Sequence, residues 1–284
     1  MSNPLLSLAA AAARWLPASV RKALYRLGPV SSGLRSALNR AAPTGLTEIE
    51  VAGGLLAGSR LWLDLKTEKD YWLGNYETEL QEAIREFVAP GMVAYDIGAN
   101  IGYISLMLAK NVGASGKVYA FEPLPDNQQR LGKNVAMNNV TNVEIISKGV
   151  ADKSGTIEFL IHASGDMGKL KGSNGRDAQY EKAIDVECVA LDDFVFKQGN
   201  LKPALVKIDI EGGERLALHG MRHVIEELKP VLIIELHGEV AAKTCWEILT
   251  KAGYRISKLI RGYPEVAAVS NLDWKSYILA RSKA

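Results

Sequence analysis

Residues 93–110 read VAYDIGANIGYISLMLAK, and they constrain the fold of this chain more than any other stretch. An apolar strand ends in Asp96. A glycine-lined turn follows, Gly98-Ala99-Asn100-Ile101-Gly102, and then a helix with Ile101, Ile104, Ser105 and Leu108 on one face. Glycines in such a turn let backbone approach a ligand closely, because no Cβ stands between them. The start of the helix adds free N–H groups and the positive end of the dipole. The unit is suited to holding a polar small molecule against backbone.

Two ligand classes use this layout. The dinucleotide fingerprint is G-x-G-x-x-G, with a pyrophosphate on the helix end. Here the turn reads G-x-N-x-G, Tyr103 stands where a small residue would help, and Asp96 would set a carboxylate against the pyrophosphate. A nicotinamide-dependent oxidoreductase on a Rossmann-like sheet is therefore the alternative reading. An acid at this point suits a cationic ligand, and S-adenosylmethionine carries both an ammonium and a sulfonium. Asp96 is expected to hold its methionine end, with Gly98, Asn100 and Gly102 shaping the turn. Residues 117–121 form a second strand, and Glu122, 20 residues beyond Gly102, is placed to accept from both ribose hydroxyls. A third strand over 143–147 leads to Asp152. That carboxylate is expected to meet the adenine amine, with capping of the following Lys153-Ser154-Gly155 loop as its alternative.

Apolar strands and amphipathic helices alternate from here on, the pattern of a mostly parallel sheet with helices on both faces. Strands are expected at 204–209, 231–236, 254–260 and 274–281, with helices from 213 and over 240–251, giving seven strands and an antiparallel last pair. Extra strand-like pieces lie at 156–161 and 184–189. Between them a loop over 164–179 carries Gly165, Gly168, Gly172 and Gly175 and is expected to be a mobile lid. Upstream, residues 55–65 suit a strand or hairpin and 77–88 a helix. The segment 71–77, Tyr-Trp-Leu-Gly-Asn-Tyr-Glu, is expected to be a hydrophobic staple, with a cover over the cofactor as its alternative. The divisions expected are a basic helical extension over 1–47, a strand and lead-in helix over 48–90, and an S-adenosylmethionine-binding domain over 91–284.

Net charge is +2, which gives no general case for nucleic acid, but the charge is unevenly placed. Residues 1–47 hold Arg14, Arg21, Lys22, Arg26, Arg35 and Arg40 and no acid. Leu16, Val20, Leu24 and Leu27 recur there at helical spacing, with breaks at Pro17 and Gly28-Pro29. This extension is expected to pack on the domain or on a second copy; a peripheral contact with anionic lipid is the alternative. Cys188 and Cys245 lack metal or redox spacing, and Cys188 reads as a core thiol. With no apolar run long enough to span a membrane, a cytoplasmic location is expected.

Ligands of open α/β sheets sit outside the C-terminal ends of the strands. Asp209 and Glu211 follow the fourth strand, and Glu235 and His237 end the fifth. Methyl transfer to a hydroxyl needs an aligned oxygen and a base for its proton. His237 is expected to be that base, with Asp209 and Glu211 assisting. Mg²⁺ held by these carboxylates is the alternative and is not favoured. Glu214 reads as a first-turn helix acid and His219 as a cation at a helix C-terminus.

The segments DIGANIGYISL, FEPLPDN, GVADKSG, LDDFV and LVKIDIEGGERLALHGM together resemble the FkbM family of S-adenosylmethionine-dependent methyltransferases, over residues 74–260. KIDIEGGE is the most specific of them. The resemblance implies a Rossmann-like class I methyltransferase fold and, most often, O-methylation of a hydroxyl on a sugar, glycan or natural product. A non-catalytic scaffold that docks partners through residues 1–47 is the competing reading.

Overall fold

The computed structural model describes residues 4–15, 28–162, 168–173, 180–273 and 275–283. Leu16, Pro17, Val20, Arg21, Lys22, Leu24, Arg26 and Leu27, together with Gly165, Gly175 and Trp274, lie outside the described residues. The chain divides into two compact units, Met1–Glu82 with Lys133–Val140, and Ala83–Gly132 with Thr141–Ala284.

In the first unit, helices α1 (Pro4–Trp15) and α2 (Gly28–Ala41) precede strand β1 (Leu46–Glu50), which pairs antiparallel with β2 (Arg60–Asp64). Leu6, Ala13, Leu38, Ile49, Leu61 and Leu63 form its buried side, and Arg14 donates to Glu50 at 2.8 Å. Leu8 and Trp15 stay exposed. Helix α3 (Lys69–Leu73) buries Trp72 completely, so this part of the aromatic segment anchors its own unit. Helix α4 (Thr78–Phe87) then carries the chain out of this unit, ending before Pro90-Gly91 as its periodicity predicts.

The second unit is built on β3 (Val93–Ile97), α5 (Tyr103–Val112), β4 (Lys117–Phe121), α6 (Pro125–Met137) and β5 (Val143–Ile146). Next come β6 (Gly149–Val150), β7 (Gly155–His162), β8 (Gly168–Leu170) and β9 (Tyr180–Val189). The chain closes with β10 (Leu205–Ile208), α7 (Glu214–His219), β11 (Val231–Glu235), α8 (Glu239–Lys251), β12 (Tyr254–Lys258) and β13 (Tyr277–Ser282). The main sheet has seven strands in the order β12-β13-β11-β10-β3-β4-β5. Every neighbouring pair is parallel except the two made by β13. From the centre, β3 leads outward to β4 and β5, while β10 leads the other way to β11. Right-handed crossovers in opposite directions put helices on both faces. Strands β3, β4 and β10 are buried along nearly their whole length, as near-continuous apolar runs require. Tyr95, Tyr119, Phe121 and Phe194 stack at 5.1–5.7 Å between ring centroids and fill the core against these strands.

The extra pieces after β5 form a separate four-stranded sheet, in the order β6-β9-β7-β8. Part of the expected lid is thus a fixed edge. Gly168–Leu170 pairs antiparallel with β7, and a Cβ on Gly168 would meet the Phe159 ring at 2.3 Å. Residues 171–173 turn back after it, and residues 164–167 and 174–179 of that loop lie outside the described residues. Among the described residues no helix is long and apolar enough to cross a membrane.

Candidate active site

The strand order reverses between β3 and β10, the point where open α/β sheets take their ligands. Asp96, near the end of β3, is 0% exposed. Its Oδ2 accepts from Ser105 Oγ at 2.6 Å, and its Oδ1 lies 3.2 Å from Lys207 Nζ on β10. Lys207 Nζ also donates to the Gly98 carbonyl at 3.0 Å and lies 3.7 Å from Asp209 Oδ2. Burial alone would lower this ammonium's pKa, but Asp96, Asp209 and Glu235 outweigh it and hold the pKa above the ordinary lysine value. The cation facing Asp96 in this conformation is therefore one the chain supplies. Lys207 is the member of this cluster that the sequence reading missed.

Gly98 has φ +79°, and a Cβ there would stand 1.9 Å from the Asp209 carbonyl oxygen. Gly102, at φ +85°, would press its Cβ on Leu131 at 3.0 Å. At both positions glycine is needed by the chain's own close approach as well as by any ligand. Asn100 takes φ +48°, and its N–H donates to Glu122 Oε2 at 2.8 Å. Glu122 Oε1 accepts from Leu124 N at 2.9 Å and from Asn127 Nδ2 at 3.3 Å. Burial raises the pKa of this carboxyl against those donors. A carboxylate has about four acceptor positions, so one is left for a ribose hydroxyl, and the long Asn127 contact is the one that can yield a second.

Asp152 needs a correction. The chain leaves the main sheet after β5, and Gly149–Val150 pairs with β9 instead. Asp152 emerges exposed on a groove with Asp192, Asp193, His219 and His223. The chain reaches Asp152 through a second sheet and not straight from the third strand. His219 does end α7, but burial and then Arg222 and Arg215 lower its pKa, and its Nδ1 meets the Arg222 guanidinium at 3.0 Å. The cation beside this helix end is thus the Arg222 guanidinium.

His237, which follows β11, gathers the acidic edge. Its side chain is 4% exposed, and Nδ1 lies 2.8 Å from Glu214 Oε1. Nε2 faces Glu211 Oε2 and Glu235 Oε1 at 3.7 Å each and Asp209 Oδ1 at 3.9 Å. Burial would lower the pKa of the imidazole, but Glu214, Asp209 and Glu235 push it up to about 9. Asp209 would be raised by burial, yet Lys207, its hydrogen bond with Glu235, His237 and the Tyr277 hydroxyl at 3.0 Å hold it below the usual range. Glu214 begins α7 as expected, and Oε1 also accepts from Gly212 N at 3.1 Å. Its link to His237 goes beyond the helix-end role read from sequence. Glu211 adopts φ +49°, a left-handed conformation uncommon for a non-glycine residue. His237, Asp209, Glu211 and Glu235 thus meet as the sequence predicts, and the Gly98–Asp209 contact joins them to the turn. The carboxylates here outnumber Lys207 and His237, and this donor set fits a cofactor bearing an ammonium and a sulfonium.

Residues 96–256, more than half of the chain, match the Methyltransferase FkbM domain. The chain belongs to the FkbM methyltransferase family. Its fold is the Rossmann-like class I methyltransferase fold, and S-adenosylmethionine is the cofactor that goes with it. The hexuronic acid methyltransferase AglP of Haloferax volcanii is 28% identical over 171 residues, covering 60% of this chain and 66% of that protein. The methyltransferase sdnD of Sordaria araneosa is 27% identical over 167 residues, 49% of this chain and 64% of that protein. The chain therefore spans just under two thirds of the length of these relatives. The crystal structure of an FkbM methyltransferase from Methylobacillus flagellatus KT is similar at TM-score 0.46 and 18% identity, over 78% of this chain and 56% of that one.

Proposed function

We propose that this FkbM-family protein methylates a hydroxyl of a sugar, glycan or other small-molecule natural product, with S-adenosylmethionine as donor. The observation that carries the reading is the convergence of Asp209, Glu211, Glu235 and His237 beside the glycine turn, at the edge where the sheet reverses. When bound, the cofactor supplies a methyl carbon on a sulfonium centre. Glu122 takes the ribose, and the Asp96–Lys207 pair holds the Gly98 carbonyl and with it the shape of the turn. Asp209 and Glu211 orient the acceptor, whose oxygen must lie about 3 Å from the methyl carbon and give up its proton near the transition state. His237, set by Glu214, belongs to the cluster that activates that hydroxyl. The relative named for hexuronic acid supports a carbohydrate acceptor.

Calorimetric titration with S-adenosylmethionine tests the donor half. Glu122→Ala is expected to weaken binding more than tenfold, and unchanged affinity would refute the ribose assignment. His237→Ala is expected to lower turnover about 10²- to 10⁴-fold on a uronic-acid or neutral glycoside acceptor while the donor still binds. Full activity in that variant would remove His237 from the chemistry.

A further inference from the structure

The acidic edge gathers four carboxylates around one buried imidazole. Asp209, Glu211 and Glu235 close on His237 Nε2 at 3.7–3.9 Å, and Glu214 holds Nδ1 from the other side. The His237 side chain is 96% buried, and among the described residues Nε2 finds no hydrogen-bond partner. Lys207 is committed to Asp96, to the Gly98 carbonyl and to Oδ2 of Asp209, leaving Oδ1 on the side of the imidazole. One donor atom each from Asp209, Glu235 and His237 lies within 4.8 Å of the others. Two ligand atoms about 2.0–2.2 Å from a shared ion stand up to about 4.4 Å apart, so the observed spacing needs little adjustment to close on one cation. A carboxylate behind the imidazole is the usual support of a ligating histidine, because it fixes the tautomer and the ring orientation. Glu214 stands in that place.

We infer that Asp209, Glu235 and His237 form a site for one divalent cation, with Glu214 as positioning residue. One imidazole nitrogen and two carboxylates make a mixed donor set. It suits a first-row divalent transition ion better than Mg²⁺, whose sites are built from oxygen, and Mn²⁺ is the paramagnetic probe for it. The role of the ion rests on the methyl-transfer reading: a cation here lowers the pKa of an acceptor hydroxyl that reaches it. Sequence alone ranks a histidine base ahead of a metal. The buried Nε2, facing three carboxylates without a hydrogen bond, reverses that order.

The test is a Mn²⁺ titration of the full chain, stripped with chelator and free of substrate, followed by electron paramagnetic resonance. One bound ion per chain with nitrogen hyperfine coupling from imidazole is expected. Glu235→Gln should weaken Mn²⁺ binding at least tenfold, and His237→Gln should remove the nitrogen coupling. No binding, or binding untouched in both variants, would overturn the site. Should His237→Gln fail to fold by circular dichroism, the coupling in the unaltered chain and the near-isosteric Glu235→Gln decide the matter. Donor binding measured in parallel separates the two readings. S-adenosylmethionine bound without Mn²⁺ uptake sinks the metal site alone, and Mn²⁺ uptake without donor binding sinks the methyltransferase assignment alone.

Discussion

Lysine is rare in a strand buried on both faces, and Lys207 occupies such a place in β10. Its partners explain why it is tolerated, since Asp96, the Gly98 carbonyl and Asp209 surround one ammonium. The lysine was readable in KIDIEGGE as a charge interrupting an apolar run. What periodicity does not tell is that β10 lies beside β3, so that Lys207 falls opposite Asp96 in the register. Asp96 and Glu122 were legible as acids at strand ends, a local pattern, whereas the pairing of Asp96 with Lys207 and of Glu122 with the Asn100 N–H depends on contacts distant in sequence. Removing one member of a buried ion pair leaves the other uncompensated, which costs about 3–5 kcal/mol. Lys207→Met is expected to lose about that much in chemical denaturation, and Lys207→Met combined with Asp96→Asn to recover part of it. Equal stability of Lys207→Met and the unaltered chain would show that the pair is not a structural strut.

At the scale of elements, the β3–turn–α5 unit and β4 were legible almost to the residue, because hydrophobic runs and glycine punctuation are local signals. The mostly parallel character of the main sheet and its antiparallel last pair were legible from alternation. The four-stranded sheet was not, since β6 is two residues long and β8 three, too short to show a period. That omission left out of the reading the groove that Asp152 lines. The same scale holds a test of the turn. Gly98 meets two demands at once, a left-handed φ and van der Waals contact with the Asp209 carbonyl. The first costs a residue with a Cβ about 1–2 kcal/mol and the second about 1–3 kcal/mol. Gly98→Ala should therefore lower the stability of the chain by a few kcal/mol and, by prising the turn from Asp209, weaken S-adenosylmethionine binding as well. A variant that melts normally and binds normally would mean that the turn has slack which its geometry denies.

Across the whole molecule, the divisions read from sequence at 47 and 90 differ from the compact units, because a unit need not be one stretch of chain. Residues 133–140 return to the first unit and finish the open edge of β2. Asn134 Oδ1 accepts from Trp62 N at 2.7 Å, and Asn138 pairs with both the N–H and the carbonyl of Arg60 at 2.8 and 2.7 Å. Lys133 Nζ stands 3.3 Å from the centre of the Trp62 ring. Two side-chain amides thus do for β2 what a neighbouring strand would do, and an exposed strand edge is otherwise a site for pairing with other chains. No periodicity announces this, because amides 70 or more residues downstream read as ordinary helix-surface polar residues. Asn134 is completely buried, so Asn134→Ala removes the partner of the Trp62 N–H without giving it water. A cost of about 1–3 kcal/mol follows from leaving such a donor unmet. Hydrogen exchange should show it first at Trp62 and along β2, with the amides of β3 and β10 still protected. Exchange that accelerates evenly through both units would mean that the edge of β2 is not the local weak point that its hydrogen bonds describe.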